Sequence, residues 1–154
     1  MQIRPIIDAD IAAVARLIRS LSDQFIVHES PADAAAAFVR EHDQDAVRRN
    51  ISTGMVYHVA EIDSVLAGFI AVRENHHLFH LFVDQRFHRQ GVARALWAVA
   101  RTTAVKAGNP GVFTVNSSNF AVPVYEAMGF IRTDVTQYLN GIYFNPMQSG
   151  RHHE

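Results

Sequence analysis

The sequence predicts one α/β domain with a mixed, mostly antiparallel central sheet of six to seven strands flanked by about four helices. Three observations predict this class. A chain of 154 residues fits a single domain. Strand-like and helical apolar patterns follow one another in the order β-α-α-β-β-β-α-β-α-β-β. The strand–helix–strand crossover in the middle makes neighbouring parallel strands, whereas the tight turns make antiparallel pairs.

The first half of the chain is predicted to contain one short strand and two helices. Pro5 closes the strand, and the carboxylate of Asp8 is placed to cap the first helix. Apolar residues then recur every three or four positions on one face of that helix. The second helix is rich in alanine and is expected to break near Asp43. We expect these elements at residues 2–4 (strand), 11–21 (helix), 22–30 (loop) and 31–53 (helix).

Tight turns and glycines delimit the elements of the second half. Asp63 and Ser64 join two strands, and the pair Asn140-Gly141 is a strong signal for a two-residue hairpin. The strand that follows the first hairpin is almost wholly apolar, which indicates a central strand buried on both faces. We expect strands at residues 56–62, 65–72, 78–83 and 112–115, helices at 91–107 and 121–128, and two final strands around the hairpin.

Composition and charge exclude several classes of function. The chain has no cysteine, which excludes a disulfide framework, a zinc–thiolate site and a cysteine nucleophile. Its net charge of -1 argues against nucleic acid as a partner, because such a partner needs a broad basic face. No signal-peptide pattern opens the sequence, and no apolar run approaches the roughly 18 residues of a membrane span. We expect a cytoplasmic domain over residues 1–147 without membrane contact, followed by a flexible tail over residues 148–154.

The most informative segment runs from Val83 to Arg94, where a buried strand ends and a helix begins near Gly91. A helix start presents unpaired backbone N–H groups and the positive end of the helix dipole, so it binds phosphate readily. Gly91 lets an anion approach the backbone, and Ala93 keeps the next position small. The alternative is a plain helix start with solvated arginines, because the segment has neither the P-loop nor the dinucleotide-binding glycine pattern.

The charge of the same region favours an anionic ligand. Between Asp84 and Lys106 five basic residues stand against one acid, a local charge of +4 in a chain whose total is -1. A concentrated basic patch on a nearly neutral protein indicates a compact anion rather than a polymer.

Two segments together resemble the GNAT N-acetyltransferase superfamily. The first, HRQGVA at residues 88–93, is similar to the family pattern Gln/Arg-x-x-Gly-x-Gly/Ala at a loop–helix junction. The second, SNFAVPVYEAMGF at residues 118–130, is similar to the pattern Asn-x-x-Ala-x-x-x-Tyr-x-x-x-Gly-Phe. His88 stands where the family usually has Gln or Arg, and Ser118 stands where it usually has Asn. The resemblance covers nearly the whole chain and implies a GNAT-like fold.

The resemblance implies that acetyl-CoA is a cosubstrate, with its pyrophosphate at the loop–helix junction. Family members splay the strand before this loop away from its neighbour, which leaves free N–H groups for the pantetheine arm and the thioester oxygen. Because Asn116 and Asn119 lie beside Ser118, all three side chains are candidates for the pantetheine contact. The predicted cofactor-binding residues are Leu81, Phe82, Val83, His88, Arg89, Gln90, Gly91, Val92, Ala93, Arg94, Ser118 and Asn119.

The resemblance also implies an N-acetyltransferase that moves an acetyl group from acetyl-CoA to a primary amine of a small molecule or peptide. Since the chain has no cysteine, the amine is expected to attack the thioester directly in a ternary complex. Tyr125 matches the family's acid for the departing thiolate, and the alternative is that it is a core aromatic of its helix. The alternative function is a non-catalytic acyl-CoA-binding or sensor module with the same fold.

Two histidines on the central strand are candidates for the general base. His77 falls where some family members have a glutamate base, and His80 points to the other strand face unless a bulge intervenes. Both are alternatively packing residues, and many family members rely on water chains. No metal is expected, because His76, His77 and His80 cannot converge on a regular strand. Apolar residues in the last strands are consistent with either a homodimer contact or the core.

Overall fold

The computed structural model describes residues 1–25 and 42–150 and, for residues 21–25, the backbone. These residues form one eight-stranded sheet and four α-helices, which confirms the predicted fold class. The helices are α1 (Ile11–Phe25), α2 (Gln44–Ser52), α3 (Val92–Lys106) and α4 (Val122–Ala127). The strands are β1 (Gln2–Pro5), β2 (Val56–Ile62), β3 (Val65–Arg73), β4 (His77–Val83), β5 (Phe113–Ser117), β6 (Ile131–Arg132), β7 (Gln137–Leu139) and β8 (Ile142–Ser149). The strand that exceeds the predicted number is β6, whose two residues are too few to show a periodicity.

The sheet has the order β1-β2-β3-β4-β5-β8-β6, and β7 pairs with β8 as well. Every pairing is antiparallel except that of β4 with β5, which is parallel and connected through α3. This parallel pairing covers only two registers, His77 with Thr114 and Leu78 with Val115. Beyond Leu78 the two central strands therefore separate, and an opening forms in the middle of the sheet.

Two hydrophobic cores lie on opposite faces of the sheet. On one face α3 and α4 pack against the strands, and the buried ring of Trp97 contacts Phe113 and Phe130 at centroid distances of 4.9 and 5.4 Å. On the other face α1 and α2 cover β2 and β3 through Val14, Val47 and other apolar side chains. Full burial of each large side chain contributes about 1.5–3 kcal/mol, so these two layers hold the central strands in place.

The predicted cap of the first helix is wrong. Asp8 lies exposed in a short 3-10 turn, and Asp10 accepts the hydrogen bond from the backbone N–H of Ile7 at 2.9 Å. Arg4 holds this carboxylate with hydrogen bonds of 2.7 and 3.0 Å and reaches Glu61 at 2.9 Å. The hydrogen bonds from Arg4 lower the pKa of Asp10. A contact with β1 and β2, which no local pattern shows, therefore positions the carboxylate of Asp10 at this turn.

The helical boundaries of the first half differ from the predicted ones at two points. Helix α1 continues to Phe25, so residues 22–25 of the predicted loop are helical. Asp43 caps α2 by accepting the N–H of Ala46 at 3.0 Å, which accounts for the predicted break at this position. The remainder of the predicted loop and helix, residues 26–41, lies outside the described residues.

The predicted hairpin turns lie where the sequence places them. Asp63 and Ser64 have φ angles of 49° and 63°, and Asn140 and Gly141 have 52° and 81°. Both pairs thus have the left-handed conformation that two-residue hairpins require. Strand β8 continues through Ser149, so the first two residues of the predicted tail belong to the sheet, and residues 151–154 lie outside the described part. Within residues 1–25 and 42–150 no helix is both long and apolar enough to cross a bilayer.

Candidate active site

A β-bulge lies next to the point where β4 and β5 separate. Ala71 pairs with His80 and Val72 with Leu78, so Phe79 is an extra residue in β4. A bulge of this kind bends its strand and increases the local twist, which favours separation from β5. Phe79 and His80 consequently lie on the same face of the sheet, with their rings 4.2 Å apart.

A cleft of about 620 Å³ begins at this opening. Its walls are the second half of β4, the loop that follows β4, the start of α3, and α4 with the turn before it. The cleft is lined by Leu81, Phe82, Val83, Phe87, His88, Arg89, Gly91, Val92, Ala93, Arg94, Ser118, Phe120, Ala121, Pro123, Val124, Tyr125, Ala127 and Met128.

The start of α3 presents a row of free backbone amides. Gly91 is the N-cap with φ 77°, no side chain caps the helix, and the first helical bond runs from the N–H of Ala95 to Gly91 at 3.0 Å. In the described part of the chain, the N–H groups of residues 91–94 have no acceptor. Arg89 also has a positive φ, of 63°. Amides turned outward by left-handed residues, together with the helix dipole, form a binding place for an anion.

Only part of the predicted basic patch reaches the cleft. Arg86 forms a 3.0 Å ion pair with Asp84, and its hydrogen bonds lower the pKa of that carboxyl. Arg101 lies over the ring of Phe113, and Lys106 is at the far end of α3. Arg89 and Arg94 line the cleft, and neither forms an ion pair within residues 1–25 and 42–150. These two arginines supply the positive charge beside the free amides.

His88 fastens the loop that precedes α3. Its Nε2 lies 2.8 Å from the carbonyl oxygen of Val83, the last residue of β4. The side chain thereby closes the loop onto the strand end, while the ring still lines the cleft. The histidine thus fixes the loop that leads to the free amides of α3.

Tyr125 lies on α4 and lines the cleft. The helix carries proline in its first turn and ends at Gly129, whose φ is 97°, so that Phe130 re-enters the core. The Tyr125 ring is 6% exposed and meets Phe130 edge to face at 5.7 Å. Burial raises the pKa of Tyr125, which keeps the phenol protonated at neutral pH. Tyr125 is therefore both a core aromatic residue and a residue that lines the cleft.

Of the three polar candidates for the pantetheine contact, only Ser118 lines the cleft. Asn116 is exposed on β5. The Asn119 side chain accepts a 2.9 Å hydrogen bond from Asn145. Asn145 is fully buried, also donates to the carbonyl of Ser117 at 3.1 Å, and supports this turn from β8. Asn145 was not among the predicted site residues, although a polar residue in a largely apolar strand is a signal that could have identified it.

The two candidate bases lie outside the cleft lining. His77 Nδ1 is 2.8 Å from the hydroxyl of Thr114, so this contact ties β4 to β5 where they separate. Burial, with Arg73 and His76 nearby, lowers the pKa of His77 to about 4. His80 is buried among aromatic rings, and its Nδ1 has no hydrogen-bond partner in the described part of the chain.

The cleft brings together eleven of the fifteen predicted site residues. Four lie outside its lining: Gln90, Asn119, His77 and His80. The apolar wall of the cleft was not predicted; it consists of Phe87, Phe120, Ala121, Pro123, Val124, Ala127 and Met128. The apolar residues that recur along α4 were the sequence signal for this wall. A helical pattern assigns all of them to the core, whereas in the structure some face the core and others line the cleft. Within the described ranges no group of three or more His, Asp or Glu side chains is placed to hold a metal ion.

Buried histidines make the stability of the fold depend on pH. Burial lowers the pKa of His58 and, more strongly, that of His80, where the neighbouring His42 adds to the effect. The unfolded chain then binds these protons more tightly than the folded one, so stability is lost as the pH falls below the unfolded value of 6.5. We expect the melting temperature, measured by calorimetry, to fall as the pH is lowered from neutral to about 5.

Matched variants separate this effect from general acid sensitivity. His80→Phe keeps an aromatic ring and removes the titrating group, so its melting temperature should depend less on pH. His76→Phe changes an exposed ring on the β3–β4 turn and leaves His58 and His80 in place, so it should keep most of the wild-type dependence. An undiminished loss of stability in His80→Phe would contradict the assignment.

Comparison with known proteins agrees with this geometry. Residues 22–150 match the family described as acetyltransferase (GNAT) domain. A GCN5-related N-acetyltransferase from Rhodopseudomonas palustris aligns with TM-score 0.82 at 18% identity, covering 97% of this chain and 95% of its own. The PaiA N-acetyltransferase of Thermoplasma acidophilum, solved with coenzyme A, aligns with TM-score 0.77 at 17% identity over 97% and 98% of the two chains. No curated protein matches the sequence.

The match to the family covers most of the chain, so this protein belongs to the GNAT acetyltransferase family. The structural neighbours show the same fold along nearly their whole length. A third neighbour, YncA from Salmonella typhimurium with its cofactor acetyl-CoA, aligns with TM-score 0.69 at 16% identity over 100% of this chain and 96% of its own. The resemblance carried by the two sequence motifs is thereby confirmed.

Proposed function

We propose that the protein is an N-acetyltransferase that moves an acetyl group from acetyl-CoA to a primary amine of a small molecule or peptide. The observation that carries this proposal is that one cleft is lined at once by the free amides of α3 and by the phenol of Tyr125. An anion site and a proton donor thus share one largely apolar cleft, which suits a molecule with a diphosphate at one end and a thioester at the other.

The cleft fits acetyl-CoA in charge and shape. The amides of residues 91–94, with Arg89 and Arg94, would hold the diphosphate. Ser118 and the separated end of β4 would hold the pantetheine arm, because β4 has lost its partner strand there. PaiA and YncA were solved with coenzyme A and acetyl-CoA respectively, which supports the same ligand here.

Different residues of the chain would act on different atoms during acetyl transfer. Acetyl-CoA supplies the activated acyl group, and since the chain has no cysteine the amine nitrogen attacks its carbonyl carbon directly. A C–N bond forms and the C–S bond breaks. Backbone N–H groups at residues 81–83 would stabilise the negative charge on the oxygen, and Tyr125 would donate its proton to the departing sulfur.

His77 is the better placed of the two candidate bases. Its contact with Thr114 lies where β4 and β5 separate, whereas His80 is enclosed by aromatic rings. Because its pKa is lowered to about 4, His77 is neutral at physiological pH and can accept a proton only to pass it on to water. We infer that His77 passes the proton of the acceptor amine on to water and does not stay protonated itself.

Release of free thiol tests the proposed activity. The chain contains no cysteine, so a thiol reagent detects coenzyme A without background from the protein. We expect acetyl-CoA to give thiol only when an amine is added, with saturation at roughly 1 μM–1 mM acetyl-CoA. Calorimetric binding of acetyl-CoA without thiol release across a broad panel of amines and peptides would favour the acyl-CoA-binding module instead.

A further inference from the structure

Asn145 on β8 joins three separate segments of the chain through one buried polar network. Its amide oxygen accepts a hydrogen bond of 2.7 Å from the hydroxyl of Thr136, the residue before β7. Its amide nitrogen donates to the carbonyl of Ser117 at 3.1 Å and to the side chain of Asn119 at 2.9 Å. A fully buried amide costs free energy unless its donors and its acceptor are paired, so this arrangement fixes the three segments relative to one another.

The two hydrogen bonds that Asn145 donates lie on either side of Ser118, which lines the cleft. The hydroxyl oxygen of Ser118 accepts the backbone N–H of Ala121 at 3.2 Å, in the turn that leads into α4. The hydroxyl proton makes no hydrogen bond with a described residue and is available to a ligand. The position of this donor in the cleft therefore depends on the peptide before Ser118 and the side chain after it, both of which Asn145 holds.

We infer that Asn145 and Thr136 are positioning residues of the acetyl-CoA site, which keep the Ser118 hydroxyl in place for the pantetheine arm. This inference rests on the proposed function, in which acetyl-CoA occupies the cleft. Neither Asn145 nor Thr136 lines the cleft, so both act on the ligand through Ser118.

The two ends of the Asn145 amide have different tasks. The Ser117 carbonyl can only accept a hydrogen bond, so the amide nitrogen has to face the turn that carries Ser118. The amide oxygen then faces the opposite way, where the Thr136 hydroxyl holds it. A residue in the segment before β7 thus influences a contact in the cleft.

Replacing Thr136 with valine tests this influence at a distance, because it removes the hydroxyl and keeps the shape of the side chain. We expect the dissociation constant for acetyl-CoA, measured by calorimetric titration of the full chain, to rise about fivefold, the equivalent of one lost hydrogen bond. Thr136→Ser keeps the hydroxyl and should bind acetyl-CoA like the wild type. Titration well below the melting temperature of each variant keeps the chain folded, so a loss of stability alone leaves the dissociation constant unchanged.

Replacing Asn145 with aspartate tests the two donated bonds. The carboxylate has almost the shape of the amide and can still accept from Thr136, but it has no N–H for Ser117 or Asn119. We expect acetyl-CoA to bind at least about 10-fold more weakly than to the wild type. A native circular dichroism spectrum has to precede this titration, because a buried carboxylate can prevent folding. If Asn145→Asp does not fold, Thr136→Val decides, since Thr136 is exposed.

Thr133→Val is the matched control. Thr133 lies in the same exposed segment, where its backbone N–H bonds to Pro146 at 3.0 Å, and the variant should bind acetyl-CoA like the wild type. Unchanged affinity in Thr136→Val would overturn the inference, and so would an equal loss in Thr136→Ser or Thr133→Val. In these cases binding to the wild type would still support the proposed function. A wild type that binds neither coenzyme A nor acetyl-CoA would overturn the proposed function, and this inference with it.

Discussion

Replacing Tyr125 with phenylalanine is expected to lower kcat by about 100-fold, the order of magnitude that a positioned acid contributes. The affinity for acetyl-CoA should change by no more than about threefold, because the ring remains and only the hydroxyl is lost. We expect the fold to tolerate this change, because the Tyr125 hydroxyl makes no hydrogen bond with a described residue and the ring keeps its contact with Phe130. Steady-state rates of thiol release, with binding measured separately by calorimetry, give the two quantities.

Tyr57→Phe is the matched control for this variant. Tyr57 is also a buried tyrosine, and its hydroxyl accepts a 3.1 Å hydrogen bond from Asn50 on the opposite face of the sheet. This control should lose a little stability, about 1 kcal/mol for one hydrogen bond, and keep its turnover. If Tyr125→Phe turned over at the wild-type rate, Tyr125 would be a core aromatic and another group would protonate the sulfur.

Replacing Gly91 with alanine is expected to weaken acetyl-CoA binding at least about 10-fold, or about 1.4 kcal/mol. Gly91 has φ 77°, a conformation that costs an L-residue roughly 1–2 kcal/mol. Alanine at this position therefore favours a different backbone conformation, which turns the amides away from the anion. A methyl group there meets no protein atom within 4 Å and projects into open space beside the cleft. Calorimetric titration with coenzyme A and with acetyl-CoA measures the loss.

Gly108→Ala separates the loss of the anion site from backbone strain. Gly108 follows the other end of α3, has φ 110°, and likewise has no atom within 4 Å of an added methyl group. Its alanine variant should lose stability comparably and bind acetyl-CoA like the wild type. Equal affinity in Gly91→Ala and Gly108→Ala would mean that the diphosphate binds elsewhere.

Local signals were sufficient to predict the parts of the site that one segment builds by itself. The junction at Gly91 needs only a strand end, a glycine and a helix start, all of which are adjacent in sequence. Tyr125 likewise belongs to a short helix delimited by Pro123 and Gly129. Side chains from both segments line the cleft, because the parallel arrangement of β4 and β5 places the elements that follow them at the same edge of the sheet.

Features that depend on distant partners could not be predicted from one sequence. The bulge at Phe79 is defined by the register of β4 against β3, and it determines the face on which His80 lies. Asn145 supports Asn119 across 26 positions of the chain, and Arg4 holds the carboxylate of Asp10 rather than that of Asp8. In each case a local pattern allows two arrangements, and a contact between separate strands decides between them.

The single tryptophan gives this molecule a built-in optical probe of one of its halves. Trp97 is the only indole of the chain, and it lies in the core that α3 and α4 form, about 8 Å along the helix from Val92. Its fluorescence therefore reports melting of that core and is insensitive to melting of the α1–α2 layer alone. Thermal transitions followed by indole emission and by far-ultraviolet circular dichroism will coincide only if both layers unfold as a cooperative unit.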